Sequence, residues 1–260
     1  MHYKTFFVHN ILQRKPASHR ETFLKENIMT ENNEPSRRSP CCTVRLAENI
    51  PLTGLVDSTP WRQADRLEID QYPWYVDGKK QATTLRLLYD ADALYLQFHC
   101  DDAHIFSETT DLNGPVCRDS CVEFFATIDP DNGPGYFNFE VNACGTIHLG
   151  WGLAGSGGGV NRILVPKTLA KDITVVSSVS GPTKQESPHD RTWWLTARIP
   201  FATLSAFTGL PVRVGPGTRW RCNAFRCGGK TDDQFATWSW IDWPHPSFHR
   251  PECFGELRFE

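Results

Sequence analysis

From residue 44 onward apolar and polar residues alternate in short runs, separated by clusters of Gly, Pro, Asn and Asp. Residues 84–89 set Leu85, Leu87 and Tyr89 on one side, Asp90-Ala91-Asp92-Ala93 turns, and 94–100 resumes with Leu94, Leu96 and Phe98. That period of two with a short polar interruption predicts a hairpin. Residues 136–142 separate Phe137, Phe139 and Val141 from Asn138, Glu140 and Asn142 in the same way. Further strands are expected at 120–128, 146–151, 173–179, 192–199, 219–226, 235–241 and 255–260, with a single short helix near 201–207. About ten strands without a recurring 40-residue period predict an all-β fold, a two-sheet antiparallel β-sandwich of jelly-roll type.

Residues 1–43 contain no glycine and no tryptophan and have no sustained period that could bury a face. They read as a disordered tail, with 44–260 as the folded domain. Met29, followed by Thr-Glu-Asn-Asn-Glu, would serve as an alternative start.

With 27 basic and 30 acidic residues the net charge is −3, with both signs dispersed, so electrostatics give no reason to expect a nucleic-acid partner. No apolar run reaches the roughly 18–20 residues of a membrane helix; the longest weakly polar stretch, 199–212, is interrupted by prolines and a glycine. Phe6-Phe7-Val8 is too short for a signal-peptide core, so the default expectation is cytoplasmic. Nine cysteines, an odd number without repeating spacing, predict reduced and mostly buried thiols rather than a disulfide framework. Cys100, Cys121 and Cys222 sit within apolar strand patterns.

Nine tryptophans are the main chemical signal, because an indole face is a platform for the apolar face of a sugar ring. Trp61, Trp193, Trp220 and Trp238 fall in or at the edges of strand patterns and are expected in the core. Trp151, Trp240 and Trp243 fall near strand ends or loops, where exposure and binding are expected. Polar residues at outward strand positions (Gln97, His99, Glu123, Asn138, Glu140, Asn142 and Asn223) form either a solvated face or a set of hydroxyl-binding groups. Glu123 and Glu140, on neighbouring strands, are also the pair a glycoside hydrolase would need. Asp101-Asp102 and the loop bearing Asp129 and Asp131 are rich in hard oxygen ligands, so calcium is the metal to expect if one is bound. Cys222-x4-Cys227 with His245-x3-His249 imitates zinc-ligand spacing, but its intervening segment is too long and lacks a helix pattern. No nucleotide-binding or nucleophile-elbow signature occurs, and the glycine-rich 155–159 segment carries no lysine.

Several segments in order resemble the family 9 carbohydrate-binding modules: Leu52-Thr-Gly-Leu-Val-Asp57 with Trp61, Leu85 to Tyr95, Asp119-Ser-Cys-Val-Glu-Phe-Phe125, Phe139-Glu-Val-Asn142, Trp194 to Phe201, and Trp238-Ser239 leading to Phe254-Gly-Glu-Leu257. The resemblance implies a non-catalytic sandwich that binds polysaccharide or oligosaccharide, in a context such as xylan breakdown, and an extracytoplasmic location. It also implies that Glu123 matches a site glutamate. Cys117 and Phe248 stand where sugar-binding members carry stacking tryptophans, Glu140 where they carry an arginine, and His245 where they carry an asparagine. The expected binding set is therefore Phe248, Trp243, Trp240, Trp151, Glu123, Glu140, Asn142, His245 and His249. The alternatives are a hydrolase using Glu123 and Glu140, and a sandwich that binds a protein partner. Related sandwiches bind haem; with Met1 and Met29 both in the tail, His99 with His148 is the pair that remains for an iron.

Overall fold

The structure, a computed structural model, describes residues 39–133, 135–153 and 162–260. The tail before residue 39, including Met1 and Met29, and the glycine-rich 155–159 lie outside the described residues. Thirteen strands form the body: β1 (Cys41–Leu46), β2 (Arg66–Glu68), β3 (Thr83–Tyr89), β4 (Ala93–Asp101), β5 (Cys121–Thr127), β6 (Gly135–Asn142), β7 (Ile147–Leu153), β8 (Ile163–Leu164), β9 (Thr174–Ser177), β10 (Thr192–Pro200), β11 (Arg219–Gly228), β12 (Gln234–Thr237) and β13 (Gly255–Phe259). Two short helices, α1 (Lys167–Ala170) and α2 (Phe201–Thr208), follow β8 and β10. The latter is the helix expected from the sequence, and Gly209 in the left-handed region ends it.

The front sheet runs β8-β7-β6-β5-β11-β13, with β12 beside β11; the back sheet runs β3-β4-β10-β9, with β2 beside β3. β1 belongs to both sheets. Cys41–Val44 pairs with β13 and Arg45–Leu46 with β3, each time in parallel. These are the exceptions to the antiparallel pattern. Cys41 to Thr43, placed by composition in the tail, are held in the sheet by backbone bonds to β13 and not by any period of their own. The strand expected over 235–241 stops at Thr237, where Trp238 N–H turns back to the Ala224 carbonyl.

The period-two pattern fills the space between the sheets. Phe124, Phe137, Phe139, Val141, Trp220 and Phe259 from the front meet Leu85, Leu87, Leu96, Phe98, Trp193 and Leu195 from the back. Trp61, Trp193, Trp220 and Trp238 are buried, as their positions predict. All nine cysteines are free; Cys42, Cys100, Cys121, Cys222 and Cys227 are buried, and Cys41 and Cys117 are exposed. Burial raises the Cys42 and Cys100 thiols to about 12, so both are neutral and unreactive.

The outward positions are not a solvated face. Gln97 donates to the Thr53 and Leu55 carbonyls and Thr196 to the Thr53 carbonyl, so the 51–56 segment covers the back sheet. On the front sheet, Ile241, Phe248 and Phe254 pack over Phe125, Tyr136 and Phe225. Gln97 and Thr196 on the back face, and Asn223 on the front face, thus hydrogen-bond to covering segments.

At the junction of the sheets Asp102 is fully buried. Its Oδ2 accepts from Arg226 (2.6 Å), Ser120 Oγ (2.7 Å) and Trp193 Nε1 (3.0 Å), while Oδ1 accepts from His104 N–H. A buried charge is tolerated only when paired and hydrogen-bonded in this way.

Candidate functional site

β5 and β6 pair antiparallel, and their register sets Glu123 directly opposite Glu140 on the outer face of the front sheet. The next pair, Glu140 with His148 on β7, extends the row. Directly opposite residues have Cβ atoms about 4.5–5.5 Å apart, so the three side chains form one continuous polar strip. Asn138 lies two residues from Glu140 on the same face and donates to its Oε1 at 2.7 Å.

Arg162, which precedes β8, reaches back over this strip. Its Nε donates to Asn138 Oδ1 at 2.5 Å and its Nη2 to the Tyr136 carbonyl at 2.6 Å, while the guanidinium lies 4.2 Å from the Tyr136 ring centroid. Its Nη1 is buried and makes no hydrogen bond. β7 leaves room for it: a Cβ on Gly150 would stand 2.5 Å from Asn138 Oδ1 and 3.1 Å from Arg162 Nε, and one on Gly152 would press on Arg162 Cγ and Nη1. The guanidinium therefore sits in a slot cleared by two outward-facing glycines, with one donor that meets no protein acceptor.

Burial perturbs both carboxyls of the row. Burial, then the neighbouring Cys227 and Glu140, pushes Glu123 well above the usual carboxylate range. Burial also raises Glu140, against the opposing pull of His148, Asn138 and Arg162. Carboxyl oxygens accept from hydroxyl donors, which suits a hydroxyl-rich ligand. The Cys227 thiol donates to Glu123 Oε1 at 2.9 Å, and Cys121 is the direct cross-strand partner of Cys227. Gly228, with φ +68°, lets the end of β11 pass beneath the 3-10 turn Val116–Arg118; a Cβ there would overlap the carbonyl oxygens of Asp119 and Cys117. Cys117 on that turn is thereby held beside the carboxyls; partial burial of its sulfur, then Glu123 and Glu140, raise its thiol to about 11.

The structure divides the expected binding residues. Glu123 and Glu140 come together as the strand order requires. Trp243 is 43% exposed and stands on the segment that caps the face; Arg250 lies over one side of its indole, 3.2 Å from the centroid, and Trp74 Nε1 donates to its carbonyl. His245 is exposed on the same segment. His249 is turned inward: its Nδ1 lies 2.8 Å from the Tyr136 hydroxyl and its ring 5.0 Å from Phe125, and burial lowers it to about 4, so it is neutral near pH 7.

Phe248 does not present a stacking surface. Its ring is buried and lies parallel to Phe225 at 4.2 Å, with Trp74 and Phe235 each 6.1 Å away. Asn142 is also consumed: Nδ2 donates to Thr109 O and Asp119 Oδ2, and Oδ1 accepts from Thr146 N–H. Trp151 shares the parity of Leu149 and packs half-buried against the core side, its ring over Gly135, away from the carboxyl row. Trp240 is half-buried. Alternation told which side of the sheet these residues take, not what covers that side.

The acidic loops do not gather. Asp102 is spent on Arg226; Asp129 Oδ1 accepts from Asn132 within its own loop; Asp131 pairs with Arg219 at 3.0 Å; and Asp101 is exposed at the end of β4. Cys222 and Cys227 project from opposite faces of β11, one into the inter-sheet core and one into the outer cluster, so they cannot chelate one ion. His99 and His148 stand in different sheets, on opposite outer faces, and cannot share an iron. Arg162 was not among the expected residues; the Gly-x-Gly of β7 is the one trace it leaves in the sequence. Among the described residues no helix is long and apolar enough to cross a membrane.

The geometry can be set beside known proteins. None of the curated proteins matches the chain. A candidate carbohydrate-binding protein from Bacteroides uniformis ATCC 8492 is similar at 23% identity and TM-score 0.72, over 86% of this chain and all of that one. A family 9 module from Caldicellulosiruptor kristjanssonii, solved with cellotriose, is 13% identical at TM-score 0.55, over 85% of this chain and 94% of that one. The same organism's module with glucose gives 13% and 0.56, over 85% and 96%. At these identities the solved structures establish a shared fold. The model of carbohydrate-binding family 9 matches residues 55–259, nearly the whole described body. The chain belongs to carbohydrate-binding family 9, a family of non-catalytic modules.

Proposed function

We propose that the chain binds an oligosaccharide or a polysaccharide end on the outer face of the front sheet, without turning it over, as part of polysaccharide recognition or breakdown. The observation that carries this reading is the Arg162 guanidinium, with one donor that meets no protein acceptor, over the polar row of Glu123, Glu140 and His148, on a fold whose family binds carbohydrate. Arg162 donates to a ring or hydroxyl oxygen, the carboxyls and His148 exchange hydrogen bonds with neighbouring hydroxyls, and Trp243 offers the exposed side of its indole to an apolar sugar face. His245 stands at the rim. Because cellotriose and glucose occupy the Caldicellulosiruptor module, β-linked glucans are the first ligands to try, followed by xylan fragments.

A hydrolase reading fits less well. A glycosidase sets its two carboxyls across the scissile bond, whereas Glu123 and Glu140 stand side by side on one sheet face.

The test is a glycan-array screen of the full chain with and without calcium, with Trp243→Ala in parallel. Retention of particular glycans that falls at least about tenfold in Trp243→Ala, without product formation, supports the reading. Turnover abolished in Glu123→Gln would replace it with the hydrolase. Loss of a protein complex in Trp243→Ala with no glycan retained anywhere would replace it with partner binding.

A further inference from the structure

At its Glu123 end the carboxyl row meets two cysteines that carbohydrate binding does not explain. Cys121 Sγ, Cys227 Sγ and a carboxylate oxygen of Glu123 lie within 4.8 Å of one another, all three residues buried. Cys121 and Cys227 face each other across β5 and β11, and Glu123 is two residues along β5 on the same face. The packing is imposed: Gly228 has no Cβ, so the strand end bearing Cys227 closes under the turn bearing Cys117. Two Zn–S bonds of about 2.3 Å at a tetrahedral angle span roughly 3.8 Å between sulfurs, so the observed grouping needs only a small contraction to hold an ion.

The donor chemistry selects the ion. Two thiolates with one carboxylate are soft for calcium or magnesium, which take oxygen ligands, and suit zinc. An apolar trio would fill the same space without burying a carboxyl, and Glu123 Oε1 is spent on nothing stronger than a thiol. We propose that Cys121, Cys227 and Glu123 form a binding site for a zinc ion on this face of the sheet, as the three protein ligands of a tetrahedral centre. The site is distinct from the acidic loops where the sequence suggested calcium.

Binding is a proton exchange. One zinc displaces the two thiol protons to solvent and forms two Zn–S bonds and one Zn–O bond to the carboxylate, with no change of oxidation state. Affinity therefore rises with pH. If the face binds sugar as proposed above, zinc and sugar compete for Glu123, and occupation weakens glycan retention.

The experiment titrates cobalt(II), then zinc, into the full chain kept reduced by a phosphine. The expected result is thiolate-to-cobalt charge transfer with the visible bands of a tetrahedral centre, saturating near about one ion per chain and erased by zinc. Cys121→Ser and Cys227→Ser each remove the charge-transfer signal, while Cys144→Ser and Cys253→Ser retain it. Near-ultraviolet circular dichroism checks that each variant is folded. Glu123→Gln keeps both thiols and the charge transfer, but shifts the visible bands and weakens affinity by more than the roughly 10- to 100-fold that outer-shell changes cost. Folded, reduced wild type without charge transfer, or an unchanged band in Cys227→Ser, overturns the proposal. Cobalt spectra without glycan retention would leave the metal site standing and remove the sugar reading; retention without the spectra would do the reverse.

Discussion

Replacing Phe248 by alanine separates two roles for this ring. Phe248 is 9% exposed, lies against Phe225 at 4.2 Å in parallel, and closes the outer cluster with Trp74 and Phe235. Truncation removes the transfer free energy of a buried phenyl, leaves a cavity between the covering segment and the sheet, and breaks a stacked pair, together about 3–5 kcal/mol. For a body of this size each kcal/mol shifts Tm by roughly 2–4 °C, so a fall on the order of 10 °C is expected. Urea unfolding followed by tryptophan fluorescence measures the loss, and an unchanged m-value confirms that the unfolded state is the same. Glycan retention, measured well below both melting temperatures, should change much less than in Trp243→Ala. A loss under about 1 kcal/mol, with retention abolished in a stable protein, would mean that the ring faces the ligand and that the packing argument is wrong.

Three further outcomes follow from the same contacts. Asp102→Ala leaves Arg226 buried without its counter-charge and should cost about 3–5 kcal/mol in denaturant unfolding, whereas Asp101→Ala at the exposed neighbour should cost less than about 0.5 kcal/mol. Because the folded protein raises Glu123 above its ordinary 4.5, stability is fullest below that value and is lost as pH climbs toward the raised value; Glu123→Gln should abolish this part of the decline in melts recorded from pH 4 to 9. Gly228→Ala forces a side chain into the left-handed region and against the Cys117 and Asp119 carbonyls, so it should lose at least about 1–3 kcal/mol, with increased reactivity of the Cys227 thiol toward a thiol reagent as a second readout.

The strands that line the inter-sheet core were legible because a period of two over 84–89, 94–100 and 136–142 has only one way to bury Leu85, Leu96 and Phe139. β1 was not, since Cys41-Cys42-Thr43-Val44 is a strand only through bonds to β13, more than two hundred residues away in sequence. For the site, strand order alone predicted that Glu123 and Glu140 would meet. It could not reveal that the 241–254 segment folds over the same face, which is why Phe248 and His249 are packed inward. Asn142 shared the parity of Glu140 yet serves Asp119 and Thr109, because a buried turn needed its amide. Arg162 reaches the strip from a segment with no period, so nothing in its own neighbourhood marked it.

The central claim is that Arg162 and the carboxyl row bind sugar, and the most direct test is calorimetric titration of the best array ligand into wild type and Arg162→Gln. The structure predicts a saturable, one-site isotherm for wild type and at least about a tenfold weaker one for the variant, with both proteins folded and the carboxyl row intact. Equal affinity in the two proteins, or no heat with any glycan, would contradict the account.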